Sequence, residues 1–111
     1  MQSVLTKSHM SVVKPSGHIN AANAADFQQE LTSVLSSRQA STVLVDMAQV
    51  ESLDSAGLMA LVAALTTAQQ MGLRFALCGI SPSIRIIFEV TQLDRAFEIF
   101  AECSSFEKAV A

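Results

Sequence analysis

The chain has 111 residues, half of them apolar, which suits one compact core. Its net charge is -3, and Lys7, Lys14, Arg38, Arg74, Arg85, Arg95 and Lys108 stand singly along it, so a basic patch for direct nucleic-acid binding is not expected. The longest apolar run, Ala56 to Leu65, is about half the ~20 residues of a membrane helix, so no membrane span is expected.

The opening reads as short strands, Ser3–Leu5 and then Ser11–Lys14, the second with β-branched Val12 and Val13. MQSVLTKSH lacks the basic start and long apolar stretch of a secretory leader, so a cytoplasmic protein is expected. Pro15 and Gly17 mark a turn. Asn20 or Asn23 caps a first helix that puts Phe27, Leu31, Val34 and Leu35 on one stripe. Thr42–Asp46 (TVLVD) is short, β-branched and continuously apolar until its end, the pattern of a buried strand. A turn from Ala48 to Leu53 leads to Asp54, which caps a second helix running to about Gln70, and Gly72 ends it. Leu73–Cys78 is the next strand. Ser81-Pro82 opens a third helix, with proline where its missing N–H costs nothing, and Ile84, Ile87, Phe88 and Val90 supply the apolar side. Ala96–Phe100 alternates as a half-buried strand. Ser104 with Glu107 makes a capping box for a short last helix. The alternation predicts an α/β fold: one domain over residues 1–111, a mixed β-sheet with a largely parallel section, covered by about four α-helices.

Catalytic chemistry finds little support. The glycines are isolated at 17, 57, 72 and 79, so there is no phosphate-cradling loop, and no HExxH motif or Cys/His cluster suggests a metal. No cofactor is expected. Cys78 and Cys103 lack metal or redox spacing; Cys78, in the apolar run LRFALC, reads as a buried thiol and Cys103 as a more exposed one. His9 and His18 have no obvious Ser or Cys partner in a strained turn and read as surface or turn residues. Asp46, Glu51 and Asp54 surround one loop; a strand end, a solvated loop residue and a helix cap account for them better than an acid–base pair. The chain is not expected to be an enzyme.

The informative segment is Val43 to Leu65, VLVDMAQVESLDSAGLMALVAAL, in which a buried strand feeds a loop ending in Asp54-Ser55-Ala56-Gly57 at a helix N-terminus. The first N–H groups of a helix lack partners, and the dipole there favours negative charge. Asp54 as N-cap uses some of those groups and leaves the Ser55 hydroxyl near solvent. Ala56 and Gly57 are small, so a partner's backbone could come close. Ser55 has three readings: a structural cap, a nucleophile, which would need a base the sequence does not offer, or a phosphoacceptor, which needs no machinery of its own. Ser52 is its nearest competitor. On a helix starting near Ser55, Met59, Val62 and Thr66 follow at i+4, i+7 and i+11, while Leu58, Leu61 and Leu65 form the better core face. Met59 is expected to be partly exposed beside Ser55.

The run Val45-Asp46-Met47-x-x-Val50-x-x-Leu53-Asp54-Ser55-Ala56-Gly57-Leu58 resembles the signature of STAS domains, specifically the anti-sigma factor antagonists. Gly72-x-x-Phe75-x-Leu77-Cys78-x-Ile80-Ser81-Pro82 with Phe88 and Leu93 resembles the family's next strand and helix. Gly17-x-Ile19-Asn20 with Ala24 and Phe27 resembles the turn that opens its first helix. The resemblance covers about residues 10–110. It departs at Asn20, where an acidic residue is common, and at Gln92, where glycine is frequent. It implies a phosphorylation-controlled switch. In that family the serine that maps to Ser55 is phosphorylated by an anti-sigma factor that is itself a serine kinase, a serine phosphatase reverses this, and the unphosphorylated form binds the kinase and frees the sigma factor, so the same is expected of this chain. Together with the helix spacing that puts Met59 beside Ser55 and the small size of Ala56 and Gly57, the expected partner surface is Asn20, Asp54, Ser55, Ala56, Gly57 and Met59, on a monomer or weak dimer. The alternative is a STAS module that scaffolds a regulatory or transport complex without being phosphorylated.

Overall fold

A computed structural model describes residues 3–7 and 10–104, with side chains from Met10 onward. At its centre Thr42–Asp46 forms strand β4. Its apolar run is continuous because both faces of the strand are covered. Val43 and Val45 point into the main core, whereas Leu44 joins a second cluster on the other face. The same split recurs in the neighbours. In β6 (Arg74–Cys78), Phe75 and Leu77 face the main core, and Ala76 and Cys78 the second cluster. In β2 (Met10–Lys14), Val13 faces the core and Met10 and Val12 the second cluster.

These strands belong to a five-stranded sheet of order β1-β2-β4-β6-β7. β1 (Ser3–Lys7) pairs antiparallel with β2; the other pairings are parallel, and the last, β7 (Glu98–Phe100), lies at the edge. The expected mixed sheet with a parallel section is therefore present. Each crossover carries a helix: α1 (Ala24–Ser37), α2 (Ser55–Met71) and α3 (Pro82–Val90). Helices α1 and α2 pack on each other, and α2 also touches β5 and β6. Phe27, Leu31 and Leu35 of α1 meet Leu58, Leu61 and the small residues Ala60, Ala64 and Ala68 of α2 in one core. Leu65 is only half-buried, so alanines complete the inward face of α2 where a third leucine was expected. Burying a side chain of leucine size contributes about 2 kcal/mol, so this packing helps to hold the helices on the sheet.

The described residues hold three α-helices and a 3-10 turn at Leu93–Arg95, where about four α-helices were expected. The helix expected beyond Ser104 lies outside the described residues, as does His9.

Two further expectations need correction. The segments expected as turns around Pro15–Gly17 and Ala48–Leu53 contain strands, β3 (Ser16–Ile19) and β5 (Gln49–Leu53), which pair in parallel as a separate two-stranded ribbon. Gly17, at φ 76°, sits where the register shifts, a backbone conformation that glycine adopts without a Cβ penalty. Gln92 follows α3 at φ 62°, so the position where the resemblance expects glycine keeps the left-handed turn that glycine would favour.

Cys78 and Cys103 are bonded to each other, with Cα atoms 4.9 Å apart, which replaces the expectation of two free thiols. Sequence spacing could not show this. The partner of the buried Cys78 comes from beyond the edge strand, 25 residues later.

Candidate functional site

Because β3 and β5 run parallel, both deliver their chains to the same end of the ribbon. Ile19 pairs with Leu53, and each strand then enters a helix, α1 or α2. Two helix N-termini are thus brought together, and Asp54 joins them. Its backbone N–H donates to the Ile19 carbonyl at 3.1 Å. Its carboxylate takes one hydrogen bond from each side: the Gly57 N–H donates to Oδ1 at 3.0 Å, and the Ala21 N–H donates to Oδ2 at 3.1 Å. The first is the N-cap that the sequence predicts. The second crosses to the turn before α1 and was not legible in the sequence.

That turn, Asn20 to Asn23, is internally bonded. Asn23 is the N-cap residue of α1, but its side chain does not cap the helix. Its Oδ1 instead accepts from the Asn20 N–H at 2.9 Å, and its Nδ2 donates to the His18 carbonyl at 2.8 Å. Asn20 Oδ1 accepts from the Ala22 N–H at 2.9 Å. Asn20 is therefore half-buried and occupied in shaping the turn that Asp54 clasps.

Ser55 is the first residue of α2 and is exposed. Its hydroxyl makes no hydrogen bond with the described residues. The N–H groups of Ser55 and Ala56 find no protein acceptor among the described residues either, since the Asp54 side chain caps Gly57 and the Asp54 carbonyl accepts from Leu58. An exposed hydroxyl thus stands beside free donors at the positive end of a helix of 17 residues. Ala56 is half-buried. Gly57 is buried, contrary to the expectation that it offers an open surface. A Cβ there would lie 2.6 Å from Leu53 Cδ1 and 2.8 Å from Ile19 Cγ2. Its small size lets the β3–β5 ribbon press against α2. Met59, one turn beyond Ser55, is 59 % exposed.

The carboxylates grouped by the sequence take separate partners. Asp46 ends β4 and accepts from the Ala48 N–H at 3.0 Å, Asp54 bridges the two helices, and Glu51 lies in solvent. His18, expected to lack a serine partner, has one: its Nδ1 lies 2.6 Å from Ser52 Oγ across the ribbon, with Glu51 3.9 Å from Nε2. The strand register that pairs residues 18 and 52 was the missing signal. An imidazole bonded to a serine hydroxyl is one element of nucleophile activation. Here both residues are exposed on the ribbon, and the bond ties its two strands together. Asp46 Oδ and the two sulfurs lie within 4.8 Å of one another, with the sulfurs already joined to each other.

The STAS domain family model matches residues 2–105. Among solved structures, an anti-sigma factor antagonist from Mycobacterium paratuberculosis superposes with a TM-score of 0.89 at 25 % identity, covering 99 % of this chain and 92 % of that one. A putative anti-sigma factor antagonist from Thermotoga maritima gives 0.90 at 22 %, covering 98 % and 93 %. The Bacillus cell fate determinant SpoIIAA in its phosphorylated form gives 0.74 at 13 %, covering 98 % and 99 %.

Proposed function

The chain belongs to the STAS domain family, and from that premise we propose that it is an anti-sigma factor antagonist whose partner binding is switched by phosphorylation of Ser55. Its partners in this reading are an anti-sigma factor with serine kinase activity and a serine phosphatase that reverses the modification. The protein supplies a substrate serine and a docking surface, with no catalysis of its own. As a kinase substrate it works in the cytoplasm.

The observation that carries the proposal is Ser55 itself: exposed, first in its helix, its hydroxyl unbonded, with free N–H groups at 55 and 56. A kinase needs a hydroxyl it can reach, and here none of the fold's bonds has to be broken to present it. The product, with about -1.5 to -2 charges, would sit where helix amides and dipole accept an anion. Asp54 serves as the brace that fixes the serine's position and the adjoining Asn20 turn. Met59 and Ala56 flank the hydroxyl and give the kinase an apolar contact, while Gly57 acts from beneath by letting the ribbon close. The test is phosphorylation with ATP and the cognate kinase, located by mass spectrometry. Ser55→Ala should accept no phosphate; normal incorporation in that variant, at Ser52 or elsewhere, sinks the assignment.

A further inference from the structure

We propose that Cys78 and Cys103 are a reversible thiol–disulfide switch that fastens or frees the edge of the sheet. The two cysteines, 25 positions apart, close a loop containing α3, the 3-10 turn and β7. β7 is a short strand at the sheet edge. It is three residues long and pairs with β6 only through Ala76–Glu98, Leu77–Ile99 and Cys78–Phe100. At its start, Glu98 forms an ion pair with Arg74 whose side chains are both more than a third exposed, a contact that adds little. At its end, the disulfide ties Cys103 to the last residue of β6. With that bond present, Phe100 stays packed on the second cluster beside Leu44 and Ala76. Without it, the edge strand keeps its three pairings, the hydrogen bond that the Gly79 N–H donates to the Phe100 carbonyl at 3.2 Å, the partial packing of Ile99 and Phe100, and the exposed ion pair, but loses its one covalent tie.

The two sulfurs differ in access. Cys78 is 0 % exposed, whereas Cys103 is partly open. A glutathione thiolate would attack Cys103 Sγ, forming a mixed disulfide as the S–S bond breaks. The electron pair leaves on Cys78 Sγ, which takes up a proton. A second glutathione thiolate then attacks the glutathione sulfur of the mixed disulfide and releases the Cys103 thiolate, which is protonated in turn. The overall change is two electrons and two protons to the protein, and two glutathiones become glutathione disulfide.

That the pair is a switch, and not a permanent staple, rests on the function proposed above. A protein modified by an ATP-dependent kinase works in a reducing compartment, where permanent disulfides are rare and those present are commonly redox-responsive. The experiment itself needs no kinase, so its failure is separable from a failure of the Ser55 assignment. The full chain is equilibrated in buffers of graded reduced-to-oxidised glutathione, acid-quenched and alkylated, and the free thiols are counted by intact mass. Hydrogen exchange is measured on both end states. The expected result is one reversible transition from zero to two free thiols. In the reduced form, amides 98–104 should exchange at least tenfold faster, while those of β4 keep their protection. Four results would overturn the proposal: a disulfide intact at every glutathione ratio, thiols that never pair, identical exchange in both forms, or loss of the whole fold's circular dichroism on reduction. Retention of one zinc equivalent by the reduced protein would also overturn it, since Asp46 and the two cysteines would then be a metal site. Cys78→Ser/Cys103→Ser should match the reduced form in its exchange pattern.

Discussion

Gly57 and Met59 lie two residues apart on α2 and illustrate how a site divides between what is hidden and what is offered. Gly57 is buried under the ribbon, where an added methyl would press on Leu53 and Ile19. Overpacking of this kind costs about 1–3 kcal/mol, against a gain of up to about 1 kcal/mol for replacing a helical glycine. Gly57→Ala should therefore lower stability by about 1 kcal/mol in urea unfolding; an unchanged or higher midpoint would show that the ribbon yields freely. Met59 behaves oppositely. With 59 % of its surface in water, it has little packing to lose. Met59→Glu should leave the melting temperature nearly unchanged while weakening kinase binding at least tenfold in a titration, because a carboxylate would be desolvated beside Ser55. A large drop in melting temperature would place Met59 in the core instead.

Among the elements, legibility followed burial pattern. β4 and β6 were readable because strands covered on both faces carry unbroken apolar runs, and α2 because Asp54 and Gly72 punctuate its ends. β5 was hidden. In Gln49–Leu53 only Val50 and Leu53 are buried, which matches neither alternation nor a run, and β3 carries the turn residue Gly17 inside it. Their pairing is long-range, between residues 16–19 and 49–53, and local sequence cannot express it. The site inherited the same limit. Asp54 as a cap was legible, but its bridge to Ala21 and the His18–Ser52 bond exist only because the ribbon forms. The edge strand has a pH signature of its own. The hydrogen bond from Arg74, reinforced by its charge, holds the Glu98 carboxyl below the usual range. A carboxyl lowered in the folded state adds stability above its unfolded value of about 4.3 and loses it as the pH falls through the folded value. Screening keeps that contribution under about 1 kcal/mol, since the side chains are 37 % and 43 % exposed. Glu98→Gln should thus be slightly less stable than the wild type at pH 7, and the two should converge as the pH falls through the lowered folded value of Glu98. A difference that persists undiminished in acid would assign the effect to packing.

At the scale of the whole molecule, the question is whether phosphate on Ser55 refolds the domain or only changes what can dock on it. The structure presents the serine outside the core, on a helix whose first turn is already braced by Asp54 at Gly57 and at Ala21. Phosphate oxygens would face the free N–H groups of Ser55 and Ala56 and the positive end of α2, which offset their charge. Asp54 pushes against them, but its side chain is exposed and water screens the repulsion. The two effects oppose each other, so folding stability should change by no more than about 1 kcal/mol. At a protein interface the balance is different: a doubly charged group shut away from water without a pairing cation costs several kcal/mol. Exclusion of the partner therefore outweighs any effect on the domain. Ser55→Asp should keep the wild-type fold and reproduce at least part of the loss of kinase binding. In backbone NMR spectra, phosphorylation should move resonances of residues 52–60 and of the Asn20–Asn23 turn that Asp54 clasps. Shifts spread across β2, β4 and β6 would show that the sheet itself rearranges and that the switch is allosteric.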